Sequence, residues 1–348
     1  MRIAIANDMP LAVEAIRRAL AGLPDWQLAW VAEDGQAAVQ HCLRDRPDVL
    51  LMDLLMPRMD GVAATRAIMA NTPCTILIVT SDVGVQASKV FEAMGAGALD
   101  AVDTPTWQGS GSASALAPAL LRKLEDLRRR LLAPAALRAP PRLAPALATP
   151  VGAARLVALG ASAGGPAALA TILAALPAQF PASIVLVQHL DAAFAPELAH
   201  WLGRQSAMPV RLARAGEPPQ PGVVLLAGGP QHLRLCADGR LELDAAPEAL
   251  PYRPSVDEFF LSAARHWRGA LSAVLLTGMG RDGARGLLAL REVGHETIAQ
   301  DQASCAVFGM PAAAIELGAA RAVLPLNEIA PALCRQVGMA GAAAKQGR

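Results

Sequence analysis

The sequence predicts an α/β protein made of two doubly wound parallel-sheet domains joined by a linker, on three observations. Short, wholly apolar runs alternate with longer segments whose apolar residues recur at helical spacing, the pattern of repeated βα units. The composition breaks near the middle, where residues 133–150 are almost entirely Ala, Pro, Leu and Arg. A chain of 348 residues is also long enough for two ordinary cores.

In order along the chain, residues 2–6, 28–32, 49–52, 75–80 and 98–102 read as five strands. Residues 11–20, 35–44 and 61–69 read as amphipathic helices between them. Right-handed crossovers then place helices on both faces of the sheet. Residues 121–132 form an Arg-rich helical stretch. Repeated prolines remove amide donors, so residues 133–150 read as a semi-rigid linker. A second βα series runs from residue 156 to about residue 338, before a small, polar, frayed tail. The expected organisation is therefore 1–132, linker 133–150, and 151–340, with no internal repeat.

A formal net charge of +1 gives no global field for nucleic acid or an anionic membrane. Cys42, Cys74, Cys236, Cys305 and Cys334 form no CxxC pair, which suits a reducing compartment and argues against zinc. The segment up to Asp8 is too short and too soon acidic for a signal peptide, and no apolar run reaches the roughly 18 residues of a spanning helix. A cytoplasmic protein, not an integral membrane protein, is expected.

Two clusters carry chemistry. Asp8 follows the first strand and Asp53 the third, so two carboxylates at adjacent strand ends can hold a Mg²⁺ and receive a phosphoryl group. Thr80, ending the fourth strand, can donate its hydroxyl to a phosphoryl oxygen. The competing reading is that these aspartates cap the following helices. In the second half, three apolar runs end at Ser162, His189 and Asp282. Strand ends are where open α/β sheets gather their chemistry, and a serine, a base and a carboxylate are what nucleophilic catalysis requires.

Gly160-Ala-Ser162-Ala-Gly164 matches G-x-S-x-G, and the helix opening at Pro166 aims amides near Ser162. A phosphate-cradling loop and a plain tight turn are the alternatives. His189 can be structural and Asp282 a helix cap. The remaining histidines, His41, His200, His232, His266 and His295, fall in helical or loop contexts. Arg253, Ser255 and Asp257 either line the cleft or serve as loop and cap residues. Met279 either flanks the oxyanion site or packs the core. The order Ser, His, Asp differs from that of the α/β-hydrolases.

Residues 1–132, with Met56-Pro57-Arg58-Met59-Asp60-Gly61 trailing Asp53, closely resemble the receiver domain of bacterial response regulators, a flavodoxin-like fold. That resemblance implies Asp53 as phosphoacceptor, with Asp8, Asp53 and the Leu55 carbonyl as Mg²⁺ ligands. Three positions depart from it. Asn7 stands where a second acid is usual, Thr104 where a lysine is usual, and Ala101 at the aromatic switch position. An Asp53 that accepts phosphate but drives an altered switch is the expectation.

The words Gly160-Ala-Ser-Ala-Gly-Gly165, Val187-Gln-His189, Arg253-Pro-Ser-Val-Asp257, Leu276-Thr-Gly-Met-Gly-Arg-Asp-Gly-Ala284, Thr297-Ile-Ala-Gln-Asp301 and Val307-Phe-Gly-Met-Pro311 resemble the catalytic domain of the chemotaxis protein-glutamate methylesterases, the CheB family. Asn7-Asp-Met-Pro-Leu-Ala-Val13 and the Thr104-Pro105 ending look most like its Wsp-type surface-sensing branch. The resemblance implies a Rossmann-like domain in which Ser162, His189 and Asp282 hydrolyse glutamate γ-methyl esters and deamidate glutamines. It also implies methyl-accepting chemotaxis receptors as substrates and a sensor histidine kinase as phosphodonor. The unphosphorylated receiver is expected to cover the strand ends of the catalytic domain. The alternatives are a catalytically weak response-regulator interaction protein and a nucleotide-using enzyme.

Overall fold

The computed structural model describes residues 1–23, 25–105, 117–132, 154–246 and 252–339. Residues 133–150, where the linker is expected, and the tail from 340 lie outside the described residues. The chain divides into two compact units, Met1–Pro134 and Ala135–Arg348.

The first unit runs β1 (Arg2–Ala6), α1 (Pro10–Leu20), β2 (Gln27–Ala32), α2 (Gly35–Arg44), β3 (Val49–Met52), α3 (Gly61–Asn71), β4 (Thr75–Thr80), α4 (Ala87–Gly95), β5 (Asp100–Asp103) and α5 (Ala117–Leu132). Its strands are all parallel, in the order β2-β1-β3-β4-β5. Helices cover both faces, so β3 and β4 are buried at every residue and show no polar alternation. Each such aliphatic side chain contributes roughly 1.5–3 kcal/mol on burial. β5 starts later than its apolar run, because the Ala98 amide still bonds Ala93 O at the end of α4. The order reverses between β1 and β3, which opens a crevice between the two strands that end at Ala6 and Met52.

The second unit runs β6 (Arg155–Ala161), α6 (Gly165–Ala175), β7 (Ser183–Gln188), a short 3-10 turn (Ala192–Phe194), α7 (Ala195–Gln205), β8 (Val210–Leu212), β9 (Val224–Leu226), β10 (His232–Leu235), β11 (Leu241–Asp244), α8 (Val256–His266), β12 (Ala270–Leu275), α9 (Ala284–Glu292), β13 (Glu296–Gln300), α10 (Met310–Glu316), β14 (Ala322–Leu324) and α11 (Leu326–Gln336). Seven strands form one parallel sheet, β14-β13-β12-β6-β7-β9-β8, and β10–β11 is a separate antiparallel hairpin. From β6 the chain builds outward through β7, then returns to β12 on the other side, so this switch point lies beside β6.

Phe259 and Phe260 of α8, with Leu275, Leu287 and Leu290, pack into the main core cluster on one face. His232 corrects its sequence placement. It opens strand β10, is fully buried, and its Nδ1 accepts the Ser255 amide at 3.2 Å.

Candidate functional site

At the crevice of the first unit, Asp53 follows β3 and is 8% exposed. Its Oδ1 accepts the Leu54 amide at 2.7 Å, and its Oδ2 accepts Asn7 Nδ2–H at 3.0 Å. Burial pushes the Asp53 carboxyl above the ordinary carboxylate range; the Leu54 and Leu55 amides pull it back, and the Asp8 charge adds to the rise. Thr80 Oγ1, at the end of β4, is buried without a hydrogen-bond partner. The Thr80 hydroxyl next to the Asp53 carboxylate, with the Asp8 charge close enough to act on it, is an oxygen-rich arrangement that fits a hard cation and an anionic oxygen. Asn7 is the limiting feature, since its own Oδ1 is taken by the Met9 amide at 2.8 Å.

The lysine position is filled by Thr104, whose amide bonds Thr80 O at 2.8 Å. Lys123 does not replace the missing cation, because it pairs with Asp100 at the opposite end of β5 (2.6 Å). Asp103 ties the β4–α4 loop to β5 by accepting the Val83 amide at 2.8 Å.

In the second unit, Ser162 directly follows β6 and His189 directly follows β7. The ladder carries on into both residues, with Ser162 N–H donating to Thr277 O and His189 N–H to Ala161 O, each at 3.0 Å. The turn after Ser162 passes through Gly164 at φ +82°, which most side chains resist. Gly278 lies directly against the serine, where a Cβ would sit 2.7 Å from Ser162 Cβ. Thr277 Oγ1 donates to Ala163 O at 2.9 Å, and Gln300 Oε1 accepts the Thr277 amide at 2.9 Å. Gln188 Nε2 donates to Ser162 O at 2.9 Å. These buried polar ties hold the ends of four strands, β6, β7, β12 and β13, in register.

His189 Nε2 lies 2.7 Å from Asp282 Oδ2, with both side chains buried. Asp282 sits on the N-terminus of α8. Its Oδ2 also accepts the Val256 amide (2.6 Å), and its Oδ1 accepts the Ser255 hydroxyl (2.8 Å) and the Asp257 amide (3.1 Å). Burial alone would raise the Asp282 carboxyl; the His189 bond, the Ser255 hydroxyl and the Val256 amide outweigh it and hold it below the usual range. An ionised Asp282 requires the proton on His189 Nε2, leaving the lone pair on Nδ1. That Nδ1 and Ser162 Oγ are both buried with no hydrogen-bond partner.

Ser255 is thus both the N-cap of α8, accepting the Glu258 amide (3.3 Å), and a donor to Asp282. Arg253 is exposed and Met279 half-buried. Tyr252, the chain's single tyrosine, escaped the sequence reading. Its ring stacks on His189 with centroids 4.2 Å apart and planes at 8°. Its adjacency to the Arg253-Pro-Ser-Val-Asp257 word was the only signal available. Among the described residues no helix is long and apolar enough to cross a membrane.

The fold and this geometry define a two-unit α/β protein, with an aspartate pocket on its first sheet and a serine beside a His–Asp pair on its second. The response regulator receiver domain family matches residues 3–109, and the CheB methylesterase family matches residues 157–333. The chain is 57% identical to protein-glutamate methylesterase/protein-glutamine glutaminase 2 of Cupriavidus metallidurans, over 97% of this chain and 99% of that one. It is 56% identical to protein-glutamate methylesterase/protein-glutamine glutaminase 3 of Pseudomonas aeruginosa, over 96% and 98%. The crystal structure of the Thermotoga maritima CheB methylesterase catalytic domain superposes with a TM-score of 0.50 at 39% identity, covering 53% of this chain and 98% of that domain. This chain belongs to the CheB methylesterase family, with a receiver domain in front of the esterase domain.

Proposed function

We propose that the chain is a phosphorylation-regulated protein-glutamate methylesterase that also deamidates glutamine, acting on methyl-accepting chemotaxis receptors. The family membership and the relatives' names support the reaction class. The single observation that carries the residue assignment is a 2.7 Å His189–Asp282 contact that leaves His189 Nδ1 without a partner, buried, as Ser162 Oγ at the neighbouring strand end also is.

Ser162 Oγ attacks the γ-carbonyl carbon of a methylated glutamate while His189 Nδ1 takes its proton. Asp282, charged and fixed on α8, stabilises the imidazolium. Collapse of the tetrahedral intermediate breaks the bond to methoxide, which leaves as methanol with the proton from Nδ1. Water, deprotonated by the same nitrogen, then hydrolyses the acyl-serine to free glutamate. With glutamine the leaving group is ammonia. Exposed Arg253 and half-buried Met279 are candidates for the cleft.

In the receiver unit, Asp53 is the proposed phosphoacceptor, accepting a phosphoryl group from a sensor histidine kinase, and Thr80 Oγ1 a donor to that group. Asp8, Asp53 and the Leu55 carbonyl would hold Mg²⁺, which when bound offsets phosphoryl charge. Ser162 has no exposed surface, so the ester reaches it only when its surroundings move. Phosphorylation is proposed to favour that movement. The five free thiols fit a reducing, cytoplasmic setting.

The test is methanol release from methylated receptor by the wild type and Ser162→Ala, each with and without phosphodonor. Ser162→Ala is expected to lose roughly 10³- to 10⁶-fold in rate. Its fold should be kept or slightly stabilised, because a buried hydroxyl without a partner costs about 1–3 kcal/mol. Equal activity in that variant removes Ser162 from the mechanism.

A further inference from the structure

Asp282 is not the only carboxyl at the junction of α8 and α9. Asp257, in the first turn of α8, lends its amide to Asp282 Oδ1 at 3.1 Å. Its own Oδ1 accepts the amide of Gly286, in the first turn of α9, at 2.7 Å. Asp282 stands just ahead of α9 and accepts amides from the first turn of α8. Each helix start therefore receives a carboxylate from the other, and the two exchanges close a clasp with His189 attached to one side of it.

We propose that Asp257 is a positioning residue of the esterase site: by clasping the start of α9 to the start of α8, it holds Asp282 in line with His189. The inference rests on the esterase reading given above. The Asp257 carboxyl bonds the start of α9 and its amide bonds Asp282, so it works through Asp282.

The physics follows from what each bond restrains. The segment from Leu276 to Gly283 carries Asp282 from β12 to α9; Thr277 and Gly278 tie its first half to neighbouring strand ends and loops, so the position of its second half, with Asp282, depends on how the start of α9 is held. One end continues the sheet ladder through the Leu276 amide, which donates to Gly160 O at 2.9 Å. The other end is pinned by Gly286 on Asp257. Without the Asp257 carboxyl, that amide loses its acceptor and the first turn of α9 is free to shift. A displacement near 1 Å is enough to misalign a general base by about 10²-fold in rate.

The charged groups facing the Asp257 carboxyl are Asp282, from the segment ahead of α9, and Arg285, in the first turn of α9. The residue keeps some exposed surface, but its carboxyl is enclosed among these groups. Desolvation first, and the Asp282 charge second, push it up to about 7. Its ionisation therefore falls in the working range and adds a second negative charge beyond Asp282. Asp257→Asn keeps an acceptor for Gly286 and removes that charge. Asp257→Ala removes both.

The experiment measures methanol release by the full chain across pH for wild type, Asp257→Asn, Asp257→Ala and Ser162→Ala. Asp257→Ala is expected to lose about 10- to 100-fold in kcat with KM nearly unchanged. Asp257→Asn, which keeps an acceptor for the Gly286 amide, is expected to recover most of that kcat. A cap that serves stability alone lowers the melting temperature in either variant but leaves kcat at the wild-type value in both, and that result overturns the proposal.

A wild type without Ser162-dependent release defeats the esterase reading instead. The clasp is then decided without substrate, by the low-field ¹⁵N-edited proton resonance of His189 Nε2–H. That signal is expected to persist in Asp257→Asn and to shift or vanish in folded Asp257→Ala. An unchanged resonance in both variants overturns the clasp.

Discussion

Asp282→Asn separates the electrostatic role of this carboxylate from its shape. Both oxygens are already occupied by main-chain amides, Oδ2 by Val256 and Oδ1 by Asp257. An asparagine turned either way sets its NH₂ against one of those N–H groups. One charge-assisted bond at the α8 N-terminus is lost and one buried amide faces another donor, together costing about 2–4 kcal/mol of stability. On the catalytic side, NH₂ toward His189 forces the lone pair onto Nε2 and the proton onto Nδ1, which leaves Ser162 without a base. The opposite orientation keeps the Nε2–H bond but removes the charge behind the imidazolium. Either way kcat should fall by roughly 10³- to 10⁴-fold, equivalent to about 4–5.5 kcal/mol on the barrier. Methanol release from methylated receptor reads the first effect, and urea unfolding of the second unit reads the other. A variant within tenfold of wild-type kcat, with an unchanged unfolding midpoint, would refute the reasoning.

Further perturbations test other parts of the two sites. Asn7→Asp exchanges the amide now bonded to Asp53 for a third carboxylate, and calorimetric titration should show Mg²⁺ binding about tenfold tighter; an unchanged Kd would mean that Asn7 is not beside the metal. Tyr252→Ala removes the ring stacked on His189, worth about 0.5–1.5 kcal/mol, and should lower kcat several-fold, whereas Tyr252→Phe should retain it. Equal rates in both would reduce the stack to packing. For stability against pH, the Asp257 carboxyl is raised in the folded state, so its contribution is complete below about pH 4 and declines as pH rises to about 7. Asp282 has the opposite sign, contributing above its unfolded value and losing that contribution as pH falls through its depressed one. Melting curves should therefore show a fall between pH 4 and 7 that Asp257→Asn flattens; a parallel fall in that variant would assign the slope to another group.

The legible part of the fold was the buried parallel strands. Val49–Met52 and the Ile76–Val79 stretch of Thr75–Thr80 are apolar because helices cover both faces, and such runs need no partner to be recognised. Helix α4 was not legible, since it opens at Gln86 without a side-chain cap and follows a stretch broken by Gly84. The hairpin β10–β11 also escaped, and with it the position of His232, because four-residue antiparallel strands outside the main sheet carry too short a period to register. Ser162 and His189 were candidates because each directly follows an apolar strand run, whereas Asp282 lies beyond the end of β12, in the turn just ahead of α9. Ser255, Asp257 and Tyr252 left only an ambiguous word, since a helix cap and a carboxylate anchor look alike in one dimension.

The sequence by itself determined the two βα series, the order of the candidate residues and, through its motif words, the family. Those are local properties: apolar period, turn chemistry and spacing along the chain. Tertiary structure alone decided which oxygen meets which nitrogen. Asp282 and Val256 are far apart in the chain, yet the crossing of α8 and α9 sets that carboxylate on the helix amides, and this fixes His189 Nδ1 as the free nitrogen. A tautomer is chosen by a hydrogen bond, and a hydrogen bond between distant residues exists only once the sheet and its helices have closed around it.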